Sequence, residues 1–310
     1  MTARIRRRRR RRGIIALCLV AVIVTGGWLW TLRGPGDSPA RQRCAATLDG
    51  TAWYLSPEQA ENAALVAGAS VRRGLPAHAA TIALATALQE SKLINITYGD
   101  RDSLGLFQQR PSQGWGTAEQ VQDPVYATDR FYDALVRVPG YADLAVTAAA
   151  QAVQRSGFPE AYARHEVRSR AWASALTGHS PAVLSCELDP VGAGRPLDAV
   201  GATLRERALR DLGLTPDAVA VGEAADGLAT VTLQAGALPT GDATSAAWAA
   251  AQWAVATASV TDVVEVRVAD RVWTRAGAVH AGREDAEPWG KADGTALGPG
   301  VVQVRVAVAA

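Results

Sequence analysis

Between Gly13 and Leu32 the chain runs for 20 residues, GIIALCLVAVIVTGGWLWTL, without one charged side chain. A helix rising about 1.5 Å per residue would carry that stretch across a hydrocarbon core ~30 Å thick. It therefore predicts a transmembrane helix over residues 13–32, in contact with the lipid bilayer. Trp28 and Trp30 stand near its C-terminal end, where indole rings favour the membrane interface. Arg4 and Arg6 to Arg12 precede it, and no acidic residue occurs before Asp37. This basic flank is expected to hold residues 1–12 in the cytoplasm as an arginine-rich tail. Everything beyond residue 32 would then lie outside, giving a single-pass cell-membrane protein with extracytoplasmic C-terminal domains. Three other readings compete, of which a lipoprotein through Cys18 fails because that cysteine lies inside the apolar run. A cleaved signal peptide would have a shorter apolar region and a small-x-small site, for which Ser38-Pro39-Ala40 is the nearest match. Alternatively, the arginines could form a nucleic-acid arm.

The same arginines hide the charge of the rest of the chain. The whole carries a net +2, yet after Leu32 there are 24 basic and 30 acidic residues, a net of −6. A mildly acidic exterior part argues against nucleic acid as its partner. Cys18 falls inside the apolar run, which leaves Cys44 and Cys186 for an oxidising exterior. Paired as a disulfide they would close a loop of about 140 residues, worth at most ~5 kcal/mol in the chain-entropy model; unpaired, they would be two buried thiols. No Cys-x-x-Cys or paired-histidine spacing occurs, so neither a metal nor another cofactor is expected.

A polar linker, residues 33–43, leads into a first domain over residues 44–188. Ser56-Pro57-Glu58 reads as a helix start and Gly74 as a stop. A second helix, rich in alanine and leucine, begins near Pro76 and runs to about Leu93. Ile94 to Gly116 has loop and turn chemistry. Helical signals return over Pro124–Leu135, Val146–Arg155 and Pro159–Leu176. Asp189 to Pro196 forms a second linker, and residues 197–310 read as a small α+β domain of unknown function. Its expected elements are a helix over Leu197–Leu212, a strand over Leu228–Gln234, a helix over Ala246–Ala258, a hairpin formed by Val263–Val268 and Arg271–Arg275, and a closing strand over Val301–Ala309. Trp248, Trp253, Trp273 and Trp289 suggest either a carbohydrate-binding face or, for Trp253 and Trp273 above all, core.

The chemistry concentrates in Gln89-Glu90-Ser91-Lys92-Leu93 and, twelve residues on, in Gly105-Leu106-Phe107-Gln108. A glutamate closing an apolar helix is partly desolvated, which disfavours its charged form and suits it to donate a proton. The plainer alternative is an exposed carboxylate beside Lys92. Gly105 would let the returning backbone approach closely, and Gln108 offers an amide for orientation. Asp100 and Asp102 are the only acids between Glu90 and Gly105. Either they supply a second carboxylate or they form turns. Tyr98, Trp115 and Tyr126 could stack on sugar rings or pack in the core.

Glu90-Ser91 followed by Ser103-Leu104-Gly105-Leu106-Phe107-Gln108, at separations of 15 residues to Gly105 and 18 to Gln108, resembles the lysozyme-like superfamily, in particular the lytic transglycosylases and goose-type lysozymes. The resemblance covers roughly Ser56 to Gly178. A third motif of the family, usually Ala-Tyr-Asn-Ala-Gly, is partly matched by Ala161-Tyr162-Ala163; Arg164 and His165 then follow in place of small residues. With the mainly α lysozyme-like domain that the resemblance implies, the fold class expected is an N-terminal transmembrane helix, that domain and a small C-terminal α+β domain. The activity it implies is cleavage of peptidoglycan glycan strands between N-acetylmuramic acid and N-acetylglucosamine. In that activity Glu90 is the acid and then the base, while Ser91, Tyr98, Gln108 and Tyr162 meet the substrate. The alternative is a non-catalytic cell-wall-binding or scaffolding protein retaining the lysozyme fold.

Overall fold

Proline and serine at the start of the first long helix set its beginning, as their types require. The computed structural model describes residues 42–278 and 288–309. Two short antiparallel strands, β1 (Arg43–Leu48) and β2 (Thr51–Leu55), lead into α1 (Pro57–Arg72). Ser56 Oγ accepts from the Gln59 amide, and Gln59 Oε1 accepts from the Ser56 amide. This reciprocal cap satisfies two otherwise unpaired N–H groups. Next come α2 (Ala77–Ser91), α3 (Ala118–Gln122), α4 (Pro124–Leu135), α5 (Val146–Gln154), α6 (Glu166–Leu176) and β3 (Leu184–Glu187). The order then continues with α7 (Leu197–Leu212), β4 (Val219–Ala225), β5 (Leu228–Gln234), α8 (Ala243–Ala256), α9 (Ala258–Thr261), β6 (Val263–Val268), β7 (Arg271–Thr274), α10 (Arg275–Ala278), β8 (Gly290–Lys291) and β9 (Val301–Ala307).

The expected fold class is corrected by two antiparallel sheets. One has three strands in the order β2-β1-β3, the other six in the order β4-β5-β9-β6-β7-β8. The first part of the chain is therefore not the mainly α lysozyme-like domain the resemblance implied. Its sheet went unread because RCAATL, TAWYL and LSCE are short and without clean alternation, and because β1 finds its partner β3 some 140 residues away. Only the fold brings them together. Among the described residues no helix is long and apolar enough to cross a membrane; residues 13–32, where the transmembrane helix was expected, lie outside them. The helix expected from Pro159 begins only at Glu166, after a 3-10 turn over Ala163–His165.

Cys44 and Cys186 face each other across β1 and β3 and are joined as a disulfide. Closing so long a loop restricts the unfolded chain and stabilises the fold by at most ~5 kcal/mol.

Residues 42–310 form one compact unit, in which both parts of the chain build a single hydrophobic core. Helix α1 packs on α2 to one side and on α7 and α8 to the other. Gly68 makes the approach to α7 possible: a Cβ there would stand 2.7 Å from the Asp211 carbonyl oxygen. Arg207 pairs with Glu61 along the same seam, and Arg72 donates to the Arg210 carbonyl. Gln252 of α8 is fully buried; its Oε1 accepts from the Val183 and Leu184 amides, and its Nε2 donates to the Ala175 and Ser180 carbonyls. Trp273 Nε1 donates to Ser185 Oγ at 3.0 Å and Trp289 Nε1 to the Leu184 carbonyl at 2.9 Å. All four tryptophans suggested as a carbohydrate face, Trp248, Trp253, Trp273 and Trp289, are buried. They belong to the core. In β9, at the centre of the large sheet, Val302, Val304 and Val306 point inward while Gln303 and Arg305 alternate with them, as a strand with one buried face should.

Candidate functional site around Glu90

Helix α2 is enclosed from Ala79 to Leu88 and emerges only over its last turn. Its termination sets the site. Lys92 and Leu93 both adopt left-handed backbone (φ +58° and +61°). The Lys92 amide bonds the Leu88 carbonyl and the Leu93 amide the Ala87 carbonyl, so the helix end is closed by its own chain. Two successive non-glycine residues in this region cost about 1–2 kcal/mol each. Side chains of α1 hold them: Gln59 Nε2 donates to the Lys92 carbonyl at 2.7 Å and Asn62 Nδ2 to the Leu93 carbonyl at 3.0 Å.

Glu90 is half-buried on that last turn. Its Oε1 accepts a 2.8 Å hydrogen bond from the hydroxyl of Tyr162, itself fully buried. The Gln154 amide, at the end of α5, is near enough to favour the charged form of the carboxylate. Burial raises the Glu90 pKa above the ordinary carboxylate value; the bonds from Tyr162 and Gln154 favour the charged form and oppose the rise without cancelling it. Burial also raises the Tyr162 pKa, and the neighbouring Glu90 adds to the effect. Tyr162 therefore stays a phenol, and a permanent donor, at physiological pH.

The second motif forms a tight return beneath the helix end. Leu104 and Gln109 exchange backbone hydrogen bonds, with Gly105 at φ +76° and Gln108 at φ +48° between them. A Cβ on Gly105 would meet the Val121 carbonyl oxygen at 2.4 Å, so glycine serves here both for its φ and for a close approach to α3. Leu106 and Phe107 are buried, and Phe107 stacks on Phe131 of α4 with ring centroids 4.6 Å apart. Ser91 Oγ donates to the Leu106 carbonyl at 2.7 Å and is itself buried, so this serine fastens the motif to the helix. Gln108 Nε2 lies 3.3 Å from the Tyr98 carbonyl and 3.2 Å from that of Gly105, bracing its own loop.

The two aspartates separate. Asp102 accepts from Arg110 Nε at 2.9 Å and from the Ser112 amide and hydroxyl at 2.8 and 3.0 Å. These bonds, that from Arg110 foremost, depress its pKa far below the usual range. It closes a turn. The Asp100 side chain stands in solvent, 3.9 Å from Arg101. Tyr98 is 72% exposed. Tyr126 donates to the Trp115 carbonyl, and Trp115 is half-buried.

One neighbour of Glu90 gave no sequence signal. Gln154 is a polar residue at a helix end like many others, and only the packing of α5 on α2 delivers it to the site. It also donates to the Phe107 carbonyl at 2.8 Å. Arg164 reaches Gln89 Oε1 at 2.8 Å and donates from Nε to His165 Nε2 at 3.2 Å. His165 is kept neutral by burial and then by the charges of Arg164 and Arg168, which lower its pKa. The loop between α5 and Tyr162 carries Phe158, 76% exposed. A cleft of about 640 Å³ has Gln113, Trp115, Arg137, Val153, Gln154 and Arg155 in its wall. Gln154 thus belongs both to the cleft and to the surroundings of Glu90.

Among the described residues no cluster of His, Cys, Asp and Glu could hold a metal ion. Compared with protein-family models and with curated proteins, the chain matches none.

Proposed function

We propose that the chain cleaves peptidoglycan glycan strands between N-acetylmuramic acid and N-acetylglucosamine outside the cytoplasmic membrane, with Glu90 as its single acid and base. The observation that carries this reading is the Glu90 carboxyl at the mouth of a buried helix, its pKa raised by burial and its orientation set by the buried Tyr162 hydroxyl. A carboxylic acid in that state can donate its proton to the glycosidic oxygen as the C–O bond breaks. The resulting carboxylate can take a proton from the muramic acid 6-hydroxyl as that oxygen attacks C1, which gives a 1,6-anhydro product and restores the acid. A one-acid route suits the aspartates, since Asp102 is engaged by Arg110 and Ser112 and Asp100 is solvated. The exposed ring of Tyr98 offers an apolar face to a sugar. An exterior location is supported by the Cys44–Cys186 disulfide, which persists in oxidising compartments, and by the arginine-flanked apolar run over residues 13–32.

Arg164 and Gln108 favour a second reading, a glycan-binding protein without turnover. Arg164 places a cation against Gln89 next to the acid, and Gln108 is engaged by its own loop. One experiment separates the two: full-length protein in mild detergent is incubated with purified sacculi and the soluble products are analysed by mass spectrometry. Anhydro-muropeptides that vanish with Glu90→Gln are expected. Reducing ends would replace the transglycosylase route by hydrolysis, and sacculus binding with no product would leave the binding protein.

A further inference from the structure

Three arginines line two adjoining hollows at the ends of α4 and α5. The larger, of about 640 Å³, has Arg137 and Arg155 in its wall; the smaller has Arg130, Asp133 and Arg137. Gln113, Trp115, Ala134 and Arg137 belong to both, so the two form one trough. Arg130, Asp133, Ala134 and Arg137 recur at three- and four-residue spacing on one face of α4 and the turn after it. Arg130 and Arg137 therefore stand about two helical turns, roughly 10 Å, apart. These cations have few acceptors of their own. Among the described residues Asp133 is the only carboxylate in either wall, and Arg73 already binds it at 2.5 Å while Arg130 lies 3.6 Å away. Arg137 and Arg155 are exposed, and among the described residues neither side chain has an ion-pair or hydrogen-bond partner. Arg130 Nε is buried, again without a partner. The C-terminal ends of α4 and α5 favour a nearby cation, which accounts for one charge at each. It does not account for the buried Arg130 Nε, because a guanidinium N–H shut away from an acceptor is costly.

We propose that this trough binds a strand of phosphodiester-linked polyols, with Arg130, Arg137 and Arg155 pairing with successive phosphates. The inference does not use Glu90, which lines neither hollow; it goes beyond cleavage to a second, binding activity. A phosphate presents several acceptor oxygens, which the planar fork of a guanidinium meets two at a time. Cations spread over two helical turns and a second helix end suit a charge that repeats, rather than a single ion. Two other carriers of phosphodiesters fit less well. Nucleic acid binds through rows of aromatic rings on which bases stack, whereas the trough has one such ring, the half-buried Trp115. A bilayer surface is met by a face whose apolar side chains enter the headgroup layer, whereas these arginines line a hollow.

The test measures fluorescence anisotropy of a labelled glycerol phosphate oligomer titrated with full-length protein in mild non-ionic detergent. Saturable binding is expected. Arg137→Gln/Arg155→Gln, which changes two exposed side chains and should leave the melting temperature unaltered, is expected to weaken it about tenfold. Its Kd should also rise less steeply with salt. Arg101→Gln/Arg170→Gln makes the same change of charge elsewhere on the surface and should leave Kd as it was. Glu90→Gln should bind as the parent does, so this result stands or falls apart from any cleavage of glycan. Glycerophosphoglycerol, a lipid headgroup without its chains, should compete at least tenfold less well per phosphate than the oligomer. Absence of binding, or equal weakening by the two double variants, overturns the proposal. So does equal affinity for polygalacturonate of matched charge, which would leave a site for any polyanion. An equally tight oligothymidylate would make the ligand a nucleic acid, and a headgroup that competes as well as the oligomer would make it a lipid; either result also overturns the polyol strand.

Discussion

Two alanine-rich helices, α2 and α8, sit at the centres of the two parts of the chain. Both are enclosed over most of their length. Alanine makes this possible, since it adds little bulk and favours the helix, so neighbours can close in from every side. Their polar groups are treated differently. In α8, Asp242 caps the N-terminus through the Thr244 and Ser245 amides. Gln252 has both ends of its amide bonded, and Thr257 returns its hydroxyl to the Trp253 carbonyl. No titratable side chain stands in the last turn of α8. Helix α2 ends on Gln89, Glu90 and Ser91, next to two strained left-handed residues. Nearby, Asn95 Oδ1, Gln109 Oε1 and Gln151 Oε1 are buried with no protein partner. Unpartnered buried polar atoms and perturbed carboxyls tend to gather at functional sites. An enclosed helix alone is core; an ionisable group at its open end is what makes α2 a candidate site.

The strongest way to break this contrast is Glu90→Gln, which should lower glycan release from sacculi by about 10²- to 10⁴-fold while far-UV circular dichroism is unchanged. Retained activity would reduce α2 to the status of α8. Trp253→Ala in α8 should destabilise the protein by about 3–5 kcal/mol, because it opens a cavity and leaves Asp211 Oδ2 without the 2.9 Å bond from the indole. Urea unfolding should show one transition, since the core is common to both parts; two would separate them. Tyr162→Phe should have a smaller effect. It removes a bond that favours the Glu90 carboxylate, so the alkaline limb of the pH–activity profile should move upward by up to about one unit, roughly 1.4 kcal/mol. A downward or absent shift would deny Tyr162 its part in setting the acid.

The smallest effect concerns stability and pH. Glu90 has a folded pKa above its unfolded value, so its contribution is fully present below the unfolded pKa and declines as pH rises through the folded one. Glu90→Gln should match the parent in stability near pH 4 and exceed it at neutral pH. Thermal melts across that range check the sign, and a crossing in the opposite direction would mean that the hydrogen bonds from Tyr162 and Gln154 outweigh burial.

The helices over Pro57–Arg72, Ala77–Ser91, Pro124–Leu135 and Leu197–Leu212, and the alternating strands over Leu228–Gln234 and Val301–Ala307, could be read from local pattern. Each carries its own signal: a cap, a proline at the first turn, or an apolar residue at every second position. Strands β1, β2 and β3 could not, because their stability comes from cross-chain pairing and a bridge between distant cysteines. At the site, Glu90 was legible from the apolar helix it closes and the motif that follows it. Gln154 and Arg155 were not, being ordinary polar residues made significant only by the packing of α5.

By itself, then, the amino-acid order determined where apolar helices begin and end and which acid closes one of them, since these follow from neighbours within one or two turns. The tertiary structure alone decided that two presumed domains build one core and that Tyr162 rather than Gln108 holds the acid. It also decided that Asp102 closes a turn and that a basic cleft lies on an acidic protein. Each of these depends on groups far apart in the chain, whose desolvation and hydrogen bonding exist only once the helices have packed.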